Sequence, residues 1–339
     1  MGLLDGLRVL DLTMWRPGPY ATQLLAQHGA DVLKVEPPGG EPMRMFRGHF
    51  DLLNRHKRSI ALDLKSEAGR ARALELAAGA EVFVEGFRPG VADRLGVGYG
   101  ALRAANPALV YCSISGYGAR GPLADVPGHD VNYRAYTAAL PPGTGSPDAD
   151  ELPLADMAAA TMAAFAIAAA VVQARASGEG DRIDLGMADV LANWTGTVPE
   201  ATRRGTVPGY GVYAAADGGR VTLGVVSEDR LWTAVCAALG LDDIAHVDFL
   251  GRMRDVPALD ARVAAAVAAL PAAEAVRRLT AAGAPVAPVL DRAAMIEHPH
   301  FRARDAVFGS PVRTAAHPPL TGGTVAELDA HAGQGWAAG

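Results

Sequence analysis

Short apolar runs alternate with amphipathic segments through the first half of the chain. "LRVLDL" has the length and composition of a strand, and "YATQLLAQHG" follows with helical spacing and a terminating Gly. "ADVLKVE" is a second strand. "SEAGRARALELAAGA" is a helix that Ser66 is placed to cap and Gly79 to end. "EVFVEGF" and "LVYCSISGYG" are further strands, with "GYGALRAANP" a short helix between them. This alternation predicts a doubly wound α/β fold, a parallel sheet covered on both faces.

After residue 150 an Ala-rich helix, "MAAATMAAFAIAAAVVQA", precedes "GDRIDLGMADVLAN", a strand leading into a helix. The Ala-rich run is the longest apolar stretch. Alanine is only weakly apolar and polar residues follow at once, so a buried helix is expected rather than a membrane span. Residues 195–210, rich in Gly, Pro and Thr, form a linker. A smaller α+β unit occupies 211–290. It has strands in "GVYAAADGGRVTLGVV" around a turn at Asp217-Gly218-Gly219, and helices in "RLWTAVCAALG", "ALDARVAAAVAAL" and "AAEAVRRLTAAG". "APVAPVL" leads out of it, and the tail is partly irregular.

Composition narrows the classes. A chain of 339 residues holds about two domains. Half of it is hydrophobic and a fifth charged, which gives a large core and excludes wholesale disorder. The net charge of −6 and the lack of a long basic run argue against nucleic acid. Basic residues do cluster in "RMFRGHFDLLNRHKRS", a place for an anionic substrate. The two cysteines, Cys112 and Cys236, form no CxxC, so no disulfide framework or zinc ribbon is expected, and Cys112 belongs to the core. The N-terminus lacks the basic and apolar regions of a signal peptide, and a cytoplasmic location is expected. No G-x-G-x-x-G follows the first strand, and neither a P-loop nor G-x-S-x-G occurs. His298 and His300 in "EHPHF" fit a turn before a helix better than a metal site.

Candidate chemistry sits in two places. "VPGHDVNYRAY" puts His129 and Asp130 after Pro-Gly, where a helix should begin, and Asp156 opens the Ala-rich helix. Each has a plain alternative. His129 can be an ordinary helix-start residue, and Asp156 can be an N-cap worth ~1 kcal/mol.

Several stretches, taken together, carry a resemblance: "GLRVLDLTMWRPGPYATQLLAQHGADVLKVEPPGGEPMR", "NRHKRSIALDLKSEAGR", "EVFVEGFRPGVADRLGVGYGALRAANPALVYCSISGYGARGP", "GHDVNY", "GEGDRIDLGMADVL", "YAAADGGRVTLG" and "APVAPVLDRAAMIEHPHFRAR". In this order, over nearly the whole chain, they resemble the family III CoA-transferases (CaiB/BaiF), which include the α-methylacyl-CoA racemases. The resemblance implies a large CoA-binding domain beginning with residues 1–194 and completed by a C-terminal return within 291–339. It also implies an interlocked homodimer, acyl-CoA as substrate, and no cofactor beyond that CoA. Leu62 and Lys65 are implied near the adenine and ribose phosphate, with Gly86, Phe87, Arg88 and Arg94 as further CoA contacts. Pro37 stands where many relatives carry Arg, with Arg44 or Lys34 as substitute.

Because "GHD" is similar to the racemase branch, the first expectation is racemisation or epimerisation of a 2-methylacyl-CoA. His129 and Asp156 would exchange the α-proton, each contributing ~10²–10⁴-fold, and a backbone N–H by Asp130 would meet the enolate oxygen. The alternative is CoA transfer with Asp156 as nucleophile through a mixed anhydride. Further alternatives are isomerase or lyase chemistry on a non-CoA metabolite and a non-catalytic CoA-binding protein. Four features depart from the racemases. Ala158, Ala159 and Ala160 replace a Gly-rich turn and would narrow the thioester pocket. Ser227, beside Glu228, stands where a Glu supports the histidine. Trp15 and Arg16 replace small or apolar residues, Arg16 being suited to a substrate carboxylate or to phosphate. The stretch between "VLAN" and "PGYG" is short.

Overall fold

The computed structural model describes residues 2–140, 152–198 and 207–336. The chain divides into two compact units, Met1–Thr197 with Ala303–Gly339, and Val198–Arg302.

In the first unit the apolar runs become parallel strands: β1 (Arg8–Leu12), β2 (Asp31–Glu36), β3 (Arg58–Ala61), β4 (Val82–Glu85), β5 (Val110–Ser115) and β6 (Arg182–Gly186). Their order is β3-β2-β1-β4-β5-β6. Alternate side chains enter opposite layers, as the two-residue period of a strand requires. Val9, Val32, Val84 and Cys112 join one core; Leu10, Leu33, Phe83 and Tyr111 join the other. The first core is closed by α1 (Pro17–Gln27), α7 (Leu154–Ser177) and α8 (Met187–Gly196), the second by α3 (Glu67–Ala78), α4 (Val91–Arg94) and α5 (Tyr99–Ala105). Two more helices, α2 (Arg47–Asn54) and α6 (Asp130–Tyr136), lie in the connections. Ser66 caps α3 by accepting the Gly69 N–H at 3.0 Å, and Gly79 closes it.

The sequence pattern missed β3 and α2. β3 is four residues long, follows a charged stretch, and fully buries only Ser59 and Ile60. By length and hydropathy α7 could cross a membrane. Ala155, Ala158, Ala159, Ala160, Ala163 and Ile167 are nevertheless buried in the first core, as expected for this run. The linker expected at 195–210 is shorter where described: α8 continues to Gly196 and the next strand begins at Tyr210, while 199–206 lie outside the described residues.

The tail that looked irregular covers the free edge of β3. His331 N–H donates to Ser59 O at 3.0 Å, Ala61 N–H donates to the Asp329 carboxylate at 2.8 Å, and Trp336 Nε1 donates to Leu76 O at 2.8 Å. An uncovered edge would offer these groups to another chain.

The second unit is a three-stranded antiparallel sheet of β7 (Tyr210–Ala214), β8 (Arg220–Gly224) and β9 (Val286–Pro288). It packs with α9 (Asp229–Leu239), α11 (Val256–Ala268) and α12 (Ala272–Ala281) around Trp232, Val263 and Leu279; α10 (Phe249–Arg254) precedes α11. "APVAPVL" is thus partly the strand β9. α13 (Arg292–Glu297) ends before His298, and α14 (Pro299–Ala303) begins after it, the turn-then-helix expected of "EHPHF". Cys112 and Cys236 are free and buried.

Replacing Trp336 removes both a buried contact and a hydrogen bond. We expect Trp336→Ala to lower stability by about 1–3 kcal/mol in urea unfolding, since the side chain is half-buried.

Candidate functional site

In a sheet of this order the chain turns opposite ways after β1 and β4, and a crevice opens beyond their C-terminal ends. A cleft of about 640 Å³ lies there, in the size range of small-molecule sites. Its walls come from the turns after β1, β4 and β5, from the start of α6 and from Asp156 on α7. A smaller, mainly apolar pocket of about 200 Å³ shares Met14 and Phe87 with it and is lined by Leu62, Lys65 and Pro37.

The turn after β1 is anchored from below. Asp11 is fully buried and accepts from Thr13 N–H at 2.9 Å, Thr13 Oγ1 at 2.5 Å, Thr22 Oγ1 at 2.6 Å and Lys57 Nζ at 3.0 Å. Burial alone would raise the Asp11 carboxyl. The Lys57 and Lys34 charges and the two hydroxyls overcome it and hold the pKa at about 2. Lys34 Nζ donates to Thr13 O at 2.8 Å, so both backbone groups of Thr13 are tied. The turn then carries Trp15 with φ +67°, a left-handed conformation that costs a non-glycine residue ~1–2 kcal/mol. A Cβ on Gly18 would fall 2.2 Å from Thr13 Cβ, so that position takes only glycine.

The turn after β4 rests on Glu85, whose carboxylate accepts the Phe87 N–H at 2.7 Å and the Tyr111 hydroxyl at 3.2 Å. Burial raises the Glu85 pKa. This support presents Gly86, Phe87 and Arg88 to the cleft, and Arg94 follows at the end of α4. On the opposite wall the Tyr133 ring lies against Gly116 and Gly128; a Cβ on either would sit 2.7 Å from it. The Tyr133 hydroxyl donates to Gly128 O at 2.5 Å and fixes the segment before His129.

His129 is the N-cap of α6, as the sequence suggested. Its N–H donates to Asn132 Oδ1 at 3.0 Å, and its exposed side chain borders the cleft. Asp156 is not a helix cap. It lies in the first turn of α7, after Pro153. The cap comes from Asp130, whose Oδ1 accepts the N–H groups of Ala155 at 2.6 Å and Asp156 at 3.2 Å. Asp130 does not line the cleft; its carboxylate is turned to α7, with Arg134 3.7 Å away. Asp156, partly buried, does line it. Burial first and the Asp130 charge second raise its pKa to about 6, against the opposing charge of Arg16.

The structure therefore gathers Gly86, Phe87, Arg88, Arg94, His129 and Asp156 around one cleft, and Leu62 and Lys65 around the adjoining pocket. Arg16 stands between the lining residues Trp15 and Pro17. Other expectations are corrected. Arg44 is held by Glu36 through two 2.6 Å bonds, and Lys34 is buried 3.3 Å from Glu41, so neither replaces the arginine missing at Pro37. Most of the basic cluster around them is spent internally: Arg47 on Asp51 and Glu327, Lys57 on Asp11, Arg58 on Asp31. Ala158, Ala159 and Ala160 are buried in the core and do not narrow the cleft. Glu228 accepts the Val226 N–H at 3.1 Å within the second unit. The sequence reasoning also missed Glu85 and Tyr133. Their signals were an acid ending an apolar strand and a tyrosine placed to fill the space two glycines leave.

The model of CoA-transferase family III matches residues 4–337. The chain belongs to that family. It is 34% identical over 338 residues to the acetyl-CoA:oxalate CoA-transferase of Acetobacter aceti, covering 91% of this chain and 86% of the relative. It is 32% identical over 378 residues to the succinyl-CoA:mesaconate CoA-transferase of Haloarcula marismortui, covering 98% and 95%. The crystal structure of the protein Rv3272 from Mycobacterium tuberculosis superposes with a TM-score of 0.89 at 28% identity, covering 98% of both chains. A CaiB/BaiF family protein from Brucella suis gives 0.83 at 27% identity, covering 97% of both. Family III relatives bearing transferase names support an enzyme and favour CoA transfer over racemisation.

The anchor beneath the β1 turn is testable. Asp11→Asn leaves Lys57 buried without its paired carboxylate, and we expect a loss of about 3–5 kcal/mol in the urea unfolding free energy.

Proposed function

We propose that this chain moves CoA from an acyl-CoA thioester to a free carboxylic acid, with Asp156 as the nucleophile. One observation carries the reading. Asp156 borders the cleft, its helix is capped by another residue, and its pKa, raised to about 6, stays below neutral pH. A carboxylate freed from structural duty and brought near neutrality is suited to attack a carbonyl.

CoA fits the two cavities in one direction. The apolar pocket at Leu62 and Phe87 suits the adenine, and Lys65, Arg88 and Arg94 suit the phosphates. The thioester then reaches Asp156. The Asp156 carboxylate attacks the thioester carbonyl, the C–S bond breaks, and a mixed anhydride and CoA thiolate remain. The thiolate attacks the aspartyl carbonyl of the anhydride, releasing the first acid and leaving an aspartyl thioester. The acceptor carboxylate attacks that thioester, giving a second anhydride and thiolate. The thiolate takes the new acyl group and Asp156 is restored, keeping one oxygen from the acceptor. No base is needed, so His129 serves here as a cleft wall. The homodimer belongs to the same reading. Phe165 and Val172 on α7 are 69% and 71% exposed, apolar surface that a second copy would cover. A cytoplasmic location and the absence of any cofactor beyond the substrate's CoA are proposed with it.

A single turnover with an ¹⁸O-labelled acceptor acid should place one label in the Asp156 peptide, and repeated turnover up to two, read by mass spectrometry. Asp156→Ala should abolish transfer and labelling. A label-free peptide during active transfer overturns the covalent role. Deuterium entering the α-carbon of a 2-methylacyl-CoA in D₂O, lost in His129→Ala, would restore the racemase alternative.

The attacking form is the carboxylate, so kcat/KM should fall as pH drops through about 6. Asp130→Asn removes the like charge while keeping an oxygen for the α7 amides, and should move that acid limb to lower pH.

A further inference from the structure

We infer that Arg16 is a specificity-determining residue that selects acids carrying a second carboxylate; this rests on the transferase reading. Three observations lead to it. The guanidinium makes no ion pair or hydrogen bond among the described residues, unlike Arg44, Arg47 and Arg58. Its neighbours Trp15, Pro17 and Gly18 line the same cleft as Asp156, and its charge opposes the rise of the Asp156 pKa. Arg16 is therefore carried on the wall of the cleft that holds Asp156. The turn that presents it combines a buried anchor under Thr13, the left-handed Trp15 and the obligatory Gly18. That turn fixes where the guanidinium starts, which a freely mobile surface arginine does not need.

Charge accounting gives the ligand class. The carboxylate that accepts CoA loses its charge when the anhydride forms. A second carboxylate on the same acid stays ionised throughout, in a cleft that already holds Asp156 with Asp130 behind it. Beside these two aspartates it needs a cation other than Arg88 and Arg94, which the proposed binding mode gives to the CoA phosphates. Arg16 supplies that cation and can pair a carboxylate through two parallel hydrogen bonds. A monocarboxylic acid has nothing to place opposite it, and leaves the guanidinium unpaired in a partly desolvated site.

The test compares succinate with butyrate, acids of equal chain length, as acceptors from acetyl-CoA. Wild-type protein should favour succinate in kcat/KM, and Arg16→Gln should lower the succinate-to-butyrate ratio by about 100-fold whatever happens to the absolute rates. Arg16→Lys should keep part of the preference. An unchanged ratio in Arg16→Gln overturns the inference. An upward move of the acid limb in that variant would then assign Arg16 to tuning Asp156 alone. If no acid accepts CoA, the transferase reading fails separately. Titration calorimetry of succinate and butyrate into the CoA-loaded protein then decides: a succinate preference lost in Arg16→Gln supports the selectivity, and equal binding of both acids overturns it.

Discussion

Asp11 and Lys57 meet at 3.0 Å inside the first unit, with both side chains out of solvent. Moving either charge there alone would cost several kcal/mol, so the pair stands only with its further partners. Lys57 also donates to Pro19 O at 2.8 Å and Asn54 Oδ1 at 2.9 Å. Lys34 ties Thr13 O and faces Glu41. Glu36 takes Arg44, the Ser59 hydroxyl and the Glu41 N–H. Acids and bases alternate across β1, β2 and the segment before β3, each facing the next. The network grips β1 at the point where it turns toward the cleft. That grip lets Trp15 keep a left-handed backbone and presents Arg16 at a defined place.

The opposite wall is fixed by a different device with the same logic. α7 is rich in alanine and starts after a proline, so its first turn has no cap of its own. Asp130, 26 residues earlier than Asp156, supplies it across space. The capping bond does two things at once. It stabilises the start of a long helix, and it sets a negative charge beside Asp156 that raises its pKa. A local cap would have done only the first. Structural and chemical roles are thus divided between two aspartates, and the division leaves the second free.

Much of this was legible in the chain, for reasons that also explain the gaps. The strands β1, β2, β4 and β5 stand out because each is buried on both faces and reads as an apolar run. β3 does not, being four residues behind a basic stretch. His129 at a helix start followed from Pro-Gly. Asp156 as its own helix cap did not survive, because the sequence shows spacing and not the distant Asp130. The basic cluster at residues 44–58 misled in the same way. Composition counts cations but cannot say which are already paired, and Arg44, Arg47, Lys57 and Arg58 are. The preference for "GHD" as a racemase mark rested on one residue type, whereas the relatives' names follow the whole chain.

That sorting of cations explains how a chain of net charge −6 can be matched to a polyanionic substrate. Net charge governs the far field, which salt screens over about 10 Å. Binding depends on the few charges within reach of the ligand. Here the buried bases are paired with acids where they stand. Lys65, Arg88 and Arg94 are exposed beside the cavities, and Arg16 stands near Asp156. The two groups of bases differ in sequence only by their neighbours. The first group stabilises the β1 turn and the second stands at the cavities proposed for CoA. An arginine moved from the anchor to the surface would leave the buried Glu36 without its ion-pair partner. The proposed chemistry at Asp156 thus rests on a separation of charge that the fold itself creates, by burying one set of bases beneath β1 and β2 and leaving the other at the crevice.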